Sequence, residues 1–451
     1  MKARACLCFL SFLLCSEFAR AQSAAPARGD QLPRHGVIGL VLAAADSGKP
    51  EDPQSNPPTI KTVIPGGAGE AAGIQPGDSP TELDGQPVAS SADFALRISR
   101  HLAGDSVRIV LIRGGQRIEK TVTLKTRPFE TSADADVLYH SVTVDGARRR
   151  TIITRPKTAG RYPAVLLFGG LGCYSLDGAL NENSGYGPIL SGLAKKGFVT
   201  MRVEKTGEGD SEGPACTDLK ATVELEAKGY IAALAALRNY EFVDAGKIFV
   251  FAHSLGPLIA SLALPQQSLR GIIAAETIGR SWFEYGLENV RRQSALVGEP
   301  LDQVDADVRA HAQCGYHFFL QHETAEEVAK LGEQCSEMIR SYAGLSYPYM
   351  QQIGDISLAK QWKQIDAPVL VIYGTSDPAT SADEGRYLVD IINSFHPGRA
   401  TYAEIAGMGH DFGRYSSQAE FLNRRKDLKP HPFDDEVLST ILAWLEQRLQ
   451  S

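Results

Sequence analysis

Short apolar runs, many of them β-branched, recur along most of the chain: Leu138–Val144, Thr151–Thr154, Ala164–Phe168, Val199–Val203, Ile248–Phe251, Gly271–Ala275 and Val369–Tyr373. Runs of this kind between turn residues predict buried strands. Helical spacing fills the gaps between the later runs, most clearly over Leu219–Leu237. Alternating strands and helices predict an α/β fold, a doubly wound and mostly parallel sheet with helices on both faces. Two antiparallel strands open it. Between Ala275 and Pro368 the pattern is helical, polar and aromatic, with no core strand. So long a stretch predicts a helical cap over one edge of the sheet, at about residues 278–365.

Residues 34–127 have a different texture. Val37–Leu42 and Thr59–Ile64 are strand-like, and Glu82 to Val88 reads as strand, turn, strand. Ser91–His101 predicts a helix with Phe94, Ile98 and Leu102 on one face. Ser106–Ile112 and Arg117–Leu124 flank a Gly114-Gly115 turn. This order, and above all PGGAGEAAGIQPGD followed by ELDGQPV, resembles a bacterial PDZ domain. Ser79-Pro80-Thr81 departs from the short apolar strand usual there. The resemblance implies a groove between the second strand and the helix, where a partner's C-terminal tail adds as a strand and backbone N–H groups hold its carboxylate. The matching loop is Gly36-Val37-Ile38-Gly39-Leu40, with Phe94 and Ile98 on the helix side. The long Asp46–Pro58 insertion either covers or extends that groove.

Charge and composition narrow the partners. A net charge of −7 over 451 residues argues against nucleic acid. No segment after the N-terminus approaches the ~18 apolar residues of a membrane span. Met1-Lys2-Ala3-Arg4 is basic, Ala5–Cys15 is apolar, and Ala19-Arg20-Ala21 offers a small-x-small cleavage site. Residues 1–21 therefore read as a signal peptide and 22–33 as a linker, which predicts a periplasmic or secreted protein. Cys6, Cys8 and Cys15 fall in the leader. The other four cysteines allow three pairings, and without a CxxC pair no zinc site is expected.

The chemistry gathers on Lys247–Ala260, KIFVFAHSLGPLIA. A strand, a sharp turn at Ser254 and a helix start resemble the nucleophile elbow of an α/β-hydrolase, with Ala252 in place of the usual first glycine. The family's order is nucleophile, acid, histidine. Asp377 ends the run VLVIYGTSD, and His410 lies in the Gly-rich AGMGHDF loop. Taken together these motifs resemble an α/β-hydrolase over residues 137–451. The resemblance implies a triad in which Ser254 attacks a carbonyl, His410 relays the proton and Asp377 orients His410. The oxyanion hole would use the N–H groups of Leu255 and Leu171, with Gly170 the alternative to Leu171. No cofactor or metal is implied.

Glu204-Lys205-Thr206-Gly207-Glu208-Gly209-Asp210-Ser211-Glu212-Gly213 looks like the family's D-x-x-G-x-G-x-S-x-G loop, whose role is structural. Cys216 just beyond it and Cys173 in the oxyanion loop are expected to pair at the rim of the site. Cys314 and Cys335, both within the cap, are the second expected pair. Trp282, Phe283, Tyr285, Tyr316, His317, Phe318, Phe319, Tyr347 and Tyr349 make the cap aromatic, mostly as its core. His311, His317 and His322 are too loosely spaced for a metal, and Arg291-Arg292 reads as a solvated charge pair. The expected activity is hydrolysis of an ester or thioester in a small acyl substrate. Two alternatives stay open: a prolyl-oligopeptidase-like peptidase acting on peptides, and a PDZ-driven scaffold with an inactive hydrolase domain.

Overall fold

The computed structural model describes residues 32–43, 58–178, 185–342, 345–424 and 431–450. The expected signal peptide, nearly all of the expected linker, Cys6, Cys8, Cys15 and the Asp46–Pro58 insertion up to residue 57 lie outside the described residues.

The N-terminal unit runs β1 (Gly36–Val37), β2 (Leu40–Leu42), β3 (Ile60–Val63), α1 (Ala68–Ala71), β4 (Ser79–Leu83), β5 (Gln86–Pro87), α2 (Ser91–Ser99), β6 (Ser106–Arg113), β7 (Gln116–Thr123) and β8 (Lys125–Thr126). A four-stranded sheet in the order β5-β4-β6-β7 carries its core, while β1 pairs with β8 and so brings the two ends of the unit together. The single run expected over Val37–Leu42 is two strands, because Gly39 takes a left-handed φ of 73° and breaks the pleat. Ser79-Pro80-Thr81 does form a strand. Its register against β6 shifts between Pro80 and Glu82, an irregularity that suits a residue without an N–H.

Helix α2 is capped by Ser90, whose side chain accepts the Asp93 N–H. Phe94 and Ile98, one turn apart, pack into the core with Leu83, Ile109 and Val122. They are 1% and 6% exposed, so their side chains serve the core of this unit. Ile38 is also buried, and only Val37 and Leu40 of the loop's apolar side chains are half-exposed. The reason is geometric: the i, i+4 apolar stripe of a single short helix faces the sheet it must cover. Leu102 lies beyond the end of the helix and is 37% exposed.

The larger unit begins with β9 (Ala135–Val144), β10 (Ala147–Pro156) and β11 (Tyr162–Phe168), followed by α3 (Gly187–Lys195), β12 (Val199–Val203), α4 (Val223–Arg238), β13 (Val243–His253), α5 (Gly256–Ala263) and β14 (Gly271–Ala275). After the cap come β15 (Val369–Gly374), α12 (Ala382–Phe395), β16 (Ala400–Ile405), α13 (Gln418–Arg424) and α14 (Asp435–Gln450). The eight strands lie in the order β16-β15-β14-β13-β11-β12-β10-β9. Strand β10 runs antiparallel to both neighbours, and the strands from β12 to β16 are mutually parallel. One apolar cluster packs each face. The carboxyl ends of β11 to β16 therefore open on one edge.

The cap between β14 and β15 is helical in its described residues: α6 (Trp282–Leu296), α7 (Leu301–Gly315), α8 (Ala325–Ala329), α9 (Glu333–Ser341), α10 (Tyr347–Gly354) and α11 (Leu358–Trp362), with a π-helical turn at Tyr316–Leu320. Capping boxes at Ser281/Glu284 and Thr324/Glu327 fix two of the starts. Phe318, Phe319 and Tyr349 are buried core; Trp282, Phe283, Tyr285 and Tyr347 pack half-buried against them, and Tyr316 is exposed. His317 and His322 pair with Glu323 and Asp355. His311 is half-buried against Gly286. The disulfides join Cys173 to Cys216 and Cys314 to Cys335.

Candidate active site

Strand β13 ends at His253 and helix α5 begins at Gly256, which leaves two residues to turn the chain. Ser254 does so at a φ of 59°, a left-handed conformation that costs a non-glycine residue on the order of 1 kcal/mol. Its surroundings hold it there. The Ser254 N–H donates to the Ala275 carbonyl at 2.9 Å, and the Thr277 hydroxyl donates to the Ser254 carbonyl at 2.8 Å. A Cβ at Gly256 would stand 2.5 Å from the Phe168 carbonyl oxygen, so no larger residue fits where helix and strand cross. Ala252, in place of the usual glycine, is fully buried without disturbing the turn.

Ser254, His410 and Asp377 come together from three separate loops. Ser254 Oγ lies 3.0 Å from His410 Nε2, and His410 Nδ1 lies 2.9 Å from Asp377 Oδ2. An ionised Asp377 can only accept, so Nδ1 carries the proton and Nε2 is free to accept from the serine hydroxyl. Asp377 is wholly buried. Burial alone would raise its carboxyl; the facing His410 and hydrogen bonds from His410, Glu276 and Thr380 outweigh that and hold it below the usual carboxylate range. The Thr380 hydroxyl donates to Oδ2 at 2.5 Å and the Ala379 N–H to Oδ1 at 2.6 Å. The first cap helix buttresses this loop from above. Tyr285 donates to the Ala379 carbonyl, and Arg292 and Gln293 to the Pro378 carbonyl. Arg292 is thus not a solvated charge: it also pairs with Glu288, while Arg291 reaches Asp305.

The loop after β11 passes directly over the serine, and a Cβ at Gly170 would lie 3.1 Å from Ser254 Cβ. Gly170 is held from both sides. Its N–H donates to the Tyr186 hydroxyl at 3.3 Å, and its carbonyl accepts from Lys205 Nζ at 2.8 Å and the Tyr174 hydroxyl at 3.2 Å. The preceding Gly169 N–H donates to the Tyr230 hydroxyl. With Gly170 so engaged, the backbone N–H groups of Leu171 and Leu255 have no acceptor among the described residues. Glu204 anchors the far end of the loop, accepting from the Ser175 hydroxyl and the Leu176 and Asp177 N–H groups. Burial raises its carboxyl to about 7.

Several residues around the serine carry no motif that would single them out. His253 Nε2 lies 2.9 Å from the His410 carbonyl, an acceptor only, so Nε2 is the protonated nitrogen and Nδ1 accepts from the Tyr186 hydroxyl at 2.8 Å. Tyr186 thereby links the loop after β11, the turn at Ser254 and the His410 loop. Lys205 reaches Gly170 because Glu226 pairs with it at 3.2 Å. Glu276 brings a second carboxyl beside Asp377. The one signal for it in the sequence is an acid immediately after the apolar run GIIAA. Two clusters among the described residues bring metal-ligand atoms close. In one, Cys173 and Cys216 are joined as a disulfide; the other is the carboxylate–histidine group of Glu276, Asp377 and His410.

In the smaller unit, β2 pairs only with β3, so its other edge has no strand partner among the described residues. Helix α2 begins beside that edge, where the Ser91 hydroxyl donates to the Ala43 carbonyl at 3.2 Å. An unpaired strand edge is a template for an added strand.

Residues 165–424 match the alpha/beta hydrolase family, more than half of the chain. The chain belongs to that family. Residues 36–124 match the PDZ domain. Esterase EstD of Thermotoga maritima is 23% identical over 251 residues, 55% of this chain and 55% of its own length. The periplasmic pH-dependent serine endoprotease DegQ of Escherichia coli is 34% identical over 88 residues, 20% of this chain and 19% of its own. The chain thus spans about half or less of the curated relatives it matches. Among solved structures, Est1E of Butyrivibrio proteoclasticus with ferulic acid bound is 16% identical, with a TM-score of 0.41 over 63% of this chain and 95% of that one.

Proposed function

We propose that this hydrolase is an exported serine esterase that cleaves an ester or thioester through an acyl-enzyme. The observation that carries the reading is the continuous bonding from Ser254 Oγ through both ring nitrogens of His410 to a buried, ionised Asp377. In this reading His410 takes the hydroxyl proton as Ser254 attacks the acyl carbon. The Leu255 and Leu171 N–H groups receive the negative charge that develops on the carbonyl oxygen, and donors of that kind are each worth about 3–4 kcal/mol. His410 returns the proton to the leaving group. Water then repeats the sequence on the acyl-enzyme. The likeness to an esterase in sequence supports an ester over an amide. For the smaller unit, the edge of β2 that has no strand partner among the described residues supports capture of an extended peptide tail, and the match to DegQ supports a periplasmic or extracellular home, as do two disulfides.

The test is a fluorophosphonate probe on the protein beside Ser254→Ala and His410→Ala, followed by p-nitrophenyl acyl esters and an aminoacyl amide. Labelling of the wild type alone, with esters cut faster than the amide, is the expected result. Faster amide cleavage would favour the peptidase. No labelling of folded wild type, together with peptide binding at the β2 edge, would favour the scaffold.

A further inference from the structure

Glu276 follows the last residue of β14 and sits between the two residues that clamp the serine, Ala275 through its carbonyl and Thr277 through its hydroxyl. It is a non-glycine residue at a left-handed φ of 50° and is 0% exposed. Its carboxyl oxygen, a carboxyl oxygen of Asp377 and a ring nitrogen of His410 all lie within 4.8 Å of one another.

As an anion, Glu276 would be poorly placed. The Thr380 hydroxyl is 3.5 Å from its Oε2 but directs its proton to Asp377 Oδ2 at 2.5 Å. Oε1 is buried with no hydrogen-bond partner among the described residues. Two carboxylates side by side, both out of water and serving one histidine, cannot both stay charged. Asp377 has the stronger claim to the charge, since it accepts from His410, Thr380 and the Ala379 N–H. Burial first, and the charge of Asp377 second, push the Glu276 carboxyl well above its ordinary value and outweigh the opposing bonds from the Gly374 backbone and Thr380.

We propose that Glu276 is a positioning residue that keeps its proton and donates it to Asp377, and that it serves as a reserve acid for His410 when Asp377 is lost. The first part leaves one negative charge in the pair, on the residue that faces His410. The second follows from the same distances. Without Asp377 there is no like charge to oppose ionisation of Glu276, and a histidine that gains a proton nearby would favour it. This proposal rests on the hydrolytic reading of Ser254, His410 and Asp377.

Five proteins test it: wild type, E276Q, E276L, D377A and D377A/E276Q, each confirmed folded by its melting curve and assayed on a p-nitrophenyl ester. The amide of E276Q still donates to Asp377, so it should lose less than about threefold in kcat, while E276L should lose about tenfold at nearly constant KM. D377A should keep a residual rate that the double variant reduces by at least about tenfold. A readout independent of turnover is the infrared difference between wild type and E276Q near pH 8, which should show the band of a protonated carboxylic acid, with Glu204 common to both and cancelling. The proposal is overturned if E276L matches wild type, if the double variant is no slower than D377A, or if that band is missing. Loss of all ester turnover in wild type with the band intact would strike the hydrolytic reading and still support the protonated Glu276.

Discussion

The Arg34 guanidinium lies 2.6 Å from Asp210 Oδ2, so a residue at the entrance to the PDZ domain is ion-paired in the loop that follows β12 of the hydrolase sheet. Arg34 also pairs with Asp177 and donates to the carbonyls of Arg127 and Pro128, at the exit from the PDZ domain. Arg150 extends the junction with bonds to Asp210 and to the Leu32 carbonyl. Both ends of the PDZ domain are thereby fixed to the sheet through one buried cation. Asp177 in turn shares Glu204 with the end of the loop after β11.

Removing that cation takes the ion pair from the buried Asp177 carboxylate and leaves Asp210 with Arg150 alone as ion-pair partner among the described residues. Arg34→Ala should destabilise the protein by about 3 kcal/mol, the range for breaking one side of a buried pair. Arg34→Lys should recover little, because a point charge does not match acceptors that diverge from a planar fork. Chemical unfolding would show the loss. Limited proteolysis should cut the 128–134 connection faster in the variant. An unchanged denaturation midpoint for Arg34→Ala would mean that the two units are not coupled through this residue.

The Cys173–Cys216 disulfide closes 43 residues of sequence separation and ties the loop after β11, the proposed oxyanion loop, to the loop after β12. In the chain-entropy model a closure of that length stabilises by up to about 4 kcal/mol. Cys173→Ser with Cys216→Ser should lower both the melting temperature and kcat. The equivalent pair at Cys314 and Cys335 should lower the melting temperature with a smaller effect on kcat, since that bridge joins two helices of the cap. Equal kcat losses from both pairs would show that the first bridge does not hold the oxyanion backbone.

Much of this was legible in the amino-acid pattern, and the rest was hidden for identifiable reasons. The strands of the sheet are short apolar runs between turns, and their carboxyl ends bring Ser254, Asp377 and His410 to one edge. Periodicity and motif order suffice for that. Phe94 and Ile98 show the limit of a helix pattern: it finds an apolar stripe and cannot say whether the stripe faces a ligand or a core. Arg34, Lys205 and Tyr186 act through partners that are distant in sequence, at separations from 16 to 176 residues. No local pattern marks such residues, because their roles exist only once the sheet has assembled. Arg292 looked like surface charge for the same reason.

Tyr186 carries a prediction of its own. Its hydroxyl accepts from the Gly170 N–H and donates to His253 Nδ1. Tyr186→Phe keeps the ring and removes both bonds, leaving a buried acceptor on His253. The expected cost is about 1–3 kcal/mol of stability. Because Gly170 and His410 both relax, kcat for an ester should fall about tenfold while KM changes little. A KM effect without a kcat effect would make Tyr186 a wall of the substrate site instead of a link between loops.

His253 should shape the acid limb of the stability curve. It is 8% exposed, and its two ring nitrogens are bonded as a neutral tautomer between Tyr186 and the His410 carbonyl. Burial first, and the neighbouring His410 second, lower it from an ordinary 6.5 to about 3. The sign follows from proton binding. Between those two values the unfolded chain binds a proton that the folded protein refuses, so stability is complete above about 6.5 and declines as pH falls toward 3. The decline attributable to one group approaches about 1.4 kcal/mol per pH unit. His253→Gln removes the titration while keeping a donor for the His410 carbonyl. Its urea midpoint should therefore fall less steeply than that of the wild type from pH 7 to pH 4. Carboxylates such as Asp377 contribute to the limb in both proteins and cancel in the difference. Parallel curves for wild type and variant would show that His253 already takes up its proton in the folded protein.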